Sequence, residues 1–146
     1  MRYLRILKQR EWICVPNQEE ITCGKYKLEK ARDSLNAAKL LLDGEVYTDS
    51  VNCAYYAIFH SMNVLLALRG IGFKKHSCAF VNFNSDYIKT GLIGLEYAKM
   101  AKEAFSVKIQ SDYSDFYRIS RQEAIEQCDN AVKFVNRIEA YVKNQI

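Results

Sequence analysis

At 146 residues the chain has the length of one domain. Its 49% hydrophobic and 26% charged residues exclude a disordered chain, and a net charge of +4 permits an anionic partner without requiring one. Five cysteines with no CxxC pairing, behind a charged first ten residues, point away from a secreted disulfide scaffold and towards a reducing cytoplasm.

Residues 1–24 hold the only proline, Pro16, and show no clear period, so they read as an N-terminal extension without assigned structure. The domain proper is expected over 25–146. Leu28, Ala31, Leu35, Ala38 and Leu42 follow three- and four-residue steps, which predicts an amphipathic helix ended by Gly44. Thr48, Asp49 or Ser50 can cap a second helix. Val51, Tyr55, Ile58, Met62 and Leu65 form one stripe of it, with Tyr56, Phe59, Asn63 and Leu66 beside them. So wide an apolar surface predicts a central helix covered on more than one side, stopped by Gly70 and Gly72. The apolar run 54–68 is too short and too polar for a membrane span, which needs about 20 apolar residues.

Residues 76–88 fit either a loop or a short helix. Leu95, Ala98, Ala101, Ala104 and Phe105 mark a third long helix, and 111–115 reads as a turn. Ser120 followed by Glu123 is a capping box opening a last helix, with Ala124, Cys128, Ala131, Val135, Ile138 and Val142 on one face. The sum is an all-α, antiparallel up-and-down bundle of four to five helices.

Arg69 continues the apolar stripe of the second helix at its C-terminal end, and His76 follows after six residues that include Lys74 and Lys75. A guanidinium can fork onto phosphate oxygens, and an imidazole exchanges protons near neutral pH. These are parts from which a metal-independent ribonuclease can be built. The plainer account is a solvated cation at a helix end, where the dipole favours it. Lys74, Lys75 and Tyr56 are candidate substrate contacts. His60 reads as a core or interface histidine, and Cys78 beside His76 lacks the further ligands a metal needs. Asp112, Tyr113 and Asp115 are candidates to brace the loop between Arg69 and His76. No metal or cofactor is expected.

Four ordered blocks resemble the HEPN (higher eukaryotes and prokaryotes nucleotide-binding) domain family. They are Lys27-Leu-Glu-Lys-Ala-Arg-Asp33 with Ala37-Ala-Lys-Leu-Leu-Leu-Asp-Gly44, then Ala54-Tyr-Tyr-Ala-Ile-Phe-His60, then Arg69-Gly-Ile with Lys75-His-Ser77, and Ser111-Asp-Tyr-Ser-Asp-Phe-Tyr117. The resemblance implies a homodimer in which an Arg-x6-His motif, here Arg69 and His76, lines a cleft between subunits and cleaves RNA without a metal. It also implies a toxin–antitoxin pairing with a minimal nucleotidyltransferase. The alternative it carries is a non-catalytic module that binds a nucleotide or such a nucleotidyltransferase. Three positions depart from the family pattern: Gly70 stands where a polar residue is common, Cys78 where some members carry a modifiable tyrosine, and Cys53 where arginine is frequent.

Overall fold

The computed structural model describes residues 3–5, 12–71 and 76–144, with the backbone alone for 3–5, 12–14, 76 and 77. Two short strands, β1 (Tyr3–Arg5) and β2 (Trp12–Cys14), pair antiparallel with Leu4 opposite Ile13. Five helices follow: α1 (Gln18–Asp43), α2 (Tyr47–Ala67), α3 (His76–Phe83), α4 (Leu95–Tyr113) and α5 (Arg121–Lys143). A π-helical turn, Asn84–Ile88, continues directly from α3. The domain is an all-α bundle, and the strand pair precedes it.

The first helix starts earlier than its apolar period suggests. Asn17 accepts the Glu20 amide at 2.8 Å, and the Glu20 carboxylate accepts the Asn17 amide at 3.1 Å. This reciprocal capping box satisfies two of the donors that a helix start leaves open, so α1 begins at Gln18 and not near Lys25. Gly24, in the added turns, lets α1 lie close against the end of α2; a β-carbon there would come within 3.0 Å of Leu68 Cδ2.

α2 is the centre of the bundle and packs against α1, α5, α4 and α3. Every residue from 61 to 68 is buried, so over two turns this helix has no solvent face. Its large side chains, among them Tyr55, Ile58, Met62 and Leu65, meet Leu35, Phe83, Ala101, Phe134 and Ile138 in one core. Each fully buried Leu, Ile or Met contributes roughly 1.5–3 kcal/mol relative to exposure.

The expected cap of α2 takes a different role. No side chain caps its start; Val46 stands at that position. Ser50 is instead fully buried, donating to the Ala38 carbonyl at 2.7 Å and lying 3.3 Å from the Cys128 thiol. One polar cluster thus ties α1, α2 and α5 at a single level. Over residues 61–68 the apolar surface of α2 is covered by the chain's own helices, whereas Tyr56 nearer its start stays exposed.

Further along, His76 opens α3, so the ambiguous stretch 76–88 is helical, and α4 runs to Tyr113, into the stretch 111–115 where a turn is expected. Ser120 and Glu123 do form the capping box of α5. Among the described residues no helix is long and apolar enough to cross a membrane.

Replacing Asn17 by alanine removes the cap of α1. The expected cost is about 1 kcal/mol, a drop of roughly 2–4 °C in thermal midpoint read by circular dichroism. An unchanged midpoint would mean that the first turns of α1 add nothing to the fold.

Candidate functional site

The end of α2 determines where Arg69 goes. Gly70 adopts φ +72°, the left-handed region that favours glycine. The Ile71 amide reaches back to the Leu66 carbonyl at 2.9 Å and the Gly70 amide to Ala67 at 3.0 Å, the paired bonds of a Schellman turn. This turn accounts for glycine directly after the arginine. It also places Arg69 as the first exposed residue after the buried run, with 40% of its side chain open to solvent. The expectation that Arg69 continues the buried stripe is therefore corrected: the stripe stops at Leu68.

The guanidinium has defined partners. Arg69 Nη1 lies 2.6 Å from Asp86 Oδ2, and the guanidinium stands near enough to the Tyr87 phenol to oppose the upward push of burial on it. Tyr87 is buried, and its hydroxyl donates to the Leu65 carbonyl at 3.2 Å. The Arg69 amide turns to the Leu66 carbonyl at 3.0 Å, leaving the Leu65 carbonyl to accept from that phenol. Asp86 and Tyr87 both belong to the π-helical turn, in which the Lys89 amide bonds to the Asn84 carbonyl five residues back. An ion pair this exposed contributes about 0–1 kcal/mol to stability, so its main effect is on orientation.

On its other side Arg69 borders a groove of about 430 Å³. Asn17, Glu19, Cys23 and Lys27 of the α1 start line it, facing Ala67, Gly70 and Ile71. The same early start of α1 that the capping box creates thus supplies one wall of this groove.

The remaining candidates fall as follows. His76 is the first residue of α3. Lys74 and Lys75 lie outside the described residues. Tyr56 is exposed on α2, thirteen residues before Arg69, which is about 20 Å along a helix at 1.5 Å per residue. It stacks with His60 at 6.1 Å, and the Lys108 ammonium stands 5.7 Å from its ring. Within one chain Tyr56 is therefore remote from Arg69. His60 is half-buried against Tyr56 and Phe59. Asp112 pairs with Lys108 on α4, and Tyr113 and Asp115 are exposed. Cys78 is a half-buried free thiol, and no group of three metal-ligating side chains occurs among the described residues.

Asp86 and Tyr87 are site residues that the sequence pattern did not single out. Their segment was ambiguous between helix and loop, and no periodicity announces a π-turn or a partner seventeen positions away.

Burial sets the titration of several groups in the core. It pushes the Tyr87 and Tyr141 phenols and the Cys128 thiol upward, with the Arg69 cation opposing the rise at both tyrosines. Each group is held neutral in the fold, while the unfolded chain ionises first, from 9.0 for thiols and 10.0 for phenols. Stability is therefore fully present at neutral pH and declines as pH rises past about 9. Urea unfolding at pH 7 and pH 10 measures this; equal or greater stability at pH 10 would contradict the burial argument.

The family model described as the HEPN domain matches residues 25–145. A protein of Thermotoga maritima named "UPF0332 protein" is 31% identical over 119 residues, covering 82% of this chain and 90% of its own. A protein of Methanocaldococcus jannaschii named "Putative toxin MJ0605" is 32% identical over 116 residues, covering 80% and 86%. A second protein of that organism, named "Putative toxin MJ0142", is 30% identical over 115 residues, covering 79% and 78%.

Proposed function

The chain belongs to the HEPN domain family, and from that premise we propose that it is a toxin-like endoribonuclease acting through Arg69 and His76 without a metal. Support for a toxin-like role comes from the names of two relatives. The observation that carries the chemical reading is Arg69 itself. It is a cation oriented by Asp86 and flanked by Tyr87 at the open end of a buried helix, seven residues before the histidine that opens α3.

In this mechanism the Arg69 guanidinium binds the non-bridging oxygens of one RNA phosphate. His76 removes the proton of the adjacent ribose 2′-hydroxyl, whose oxygen attacks phosphorus. The pentacoordinate phosphate gathers negative charge, which Arg69 stabilises more strongly than it stabilises the ground state. The imidazolium so formed gives that proton to the departing 5′-oxygen as the P–O5′ bond breaks, leaving a 2′,3′-cyclic phosphate and a 5′-hydroxyl. Two protomers would bring their Arg69 and His76 pairs to one cleft. A minimal nucleotidyltransferase partner would silence the enzyme, and the absence of a tyrosine at Cys78 favours occlusion over covalent modification as the means.

A second reading has its own support in the groove beside Arg69. A cavity of about 430 Å³, with Arg69 and Lys27 on its walls beside Glu19 and Glu20, gives room for a small ligand such as a nucleotide held without cleavage.

Controlled expression of the wild type, Arg69→Ala and His76→Ala, followed by total RNA on a gel, separates the two. Growth arrest with RNA breakdown in the wild type alone is the expected result, and purified protein should retain cleavage in the presence of a chelator. Intact RNA from folded wild-type protein would sink the enzyme and leave the nucleotide-binding module.

A further inference from the structure

Arg69 stands two residues past the end of α2 and would ordinarily be a mobile side chain. A long, solvated arginine explores many rotamers, and a phosphate that engages it must first halt that motion. Two consecutive residues of another element meet this guanidinium. Asp86 contacts Nη1 at 2.6 Å, and Tyr87 stands beside the same group while anchored to the Leu65 carbonyl one turn earlier. Successive side chains of an α-helix diverge by about 100°, so they do not ordinarily converge on one partner. The π-turn of Asn84–Ile88 is the local irregularity that accompanies the convergence, and such turns recur at functional sites.

We infer that Asp86 and Tyr87 are positioning residues that hold the Arg69 guanidinium ready for an RNA phosphate. The inference rests on the ribonuclease reading for the identity of its anion. The clamp itself rests on the contacts of Arg69.

Geometry separates positioning from blockade. Asp86 occupies one terminal nitrogen and Tyr87 flanks the group, whereas a guanidinium has five N–H donors. Donors remain for phosphate, and 40% of the side chain faces solvent. Asp86 is itself half-buried and Tyr87 buried, so the clamp is fixed from the core side while the cation is open on the other. Tyr87 also stacks on Phe83 and meets Tyr141 edge-on, which keeps its phenol in place.

The test uses the full chain with Asp86→Asn and Tyr87→Phe, which keep size and shape. For each, kcat on single-stranded RNA is expected to fall by roughly 10–100-fold with KM within about twofold, as for a misplaced transition-state group. Thermal midpoints should stay near that of the wild type. Faster cleavage by Asp86→Asn would overturn the inference, because the carboxylate would then be a mask. A second readout needs no activity: the Arg69 Nε–H signal in a nitrogen-15 spectrum, assigned by its loss in Arg69→Ala. In the wild type it should stand apart from the signals of solvated arginines, collapse towards them in Asp86→Asn, and move when a 2′-O-methyl RNA is added. A wild-type signal already among the solvated arginines, or one unmoved by that RNA, would overturn the inference. A clamped signal that moves with RNA, in a protein that never cleaves, would sink the ribonuclease reading alone.

Discussion

Complete enclosure of one helix shapes this molecule. Along residues 61–68, α2 offers every side chain to the core, so its neighbours must cover it from all directions. That requirement explains the long reach of α1 and α5 on either side, the Ser50–Ala38–Cys128 cluster that joins the three, and the placement of Phe83 and Tyr87 over the helix end. A helix buried in this way cannot fade gradually into solvent. It stops at a Schellman turn with Gly70 in the left-handed region, and the next charged group projects at once from the core surface.

The position of Arg69 follows from that abrupt stop. Arg69 leaves the core at a point where the helix carbonyls are short of donors and a cation is electrostatically welcome. Tyr87 answers one of those carbonyls with its hydroxyl and stands beside the guanidinium. The element that completes the end of α2 therefore also orients its arginine. Packing, helix termination and the chemistry of the site are linked through two residues of a π-turn. The early start of α1 adds a wall to the groove beside them.

Local patterns in the sequence revealed much of this, and long-range ones did not. The stripes of α2 and α5 and the Ser120–Glu123 box repeat over many turns and need no knowledge of partners. The start of α1 was less visible, because Thr22, Cys23 and Gly24 interrupt its apolar period although the Asn17–Glu20 box precedes them. Ser50 has the chemistry of a cap, yet the register of α1 against α2 turns its hydroxyl inward to Ala38. Arg69 was legible as a cation at a helix end; its exposure depended on the geometry of the turn. Asp86 and Tyr87 could not be read, since their meeting with Arg69 depends on a backbone irregularity and on the fold of the intervening chain.

The account is tested most directly by the chemical ends of the RNA fragments that purified protein produces with chelator present. Attack by the 2′-hydroxyl, assisted by Arg69 and His76, requires 5′-hydroxyl and 2′,3′-cyclic phosphate ends, and an RNA methylated at the 2′-oxygen should remain intact. Fragments with 5′-phosphate ends, or cleavage of the methylated RNA, would contradict it.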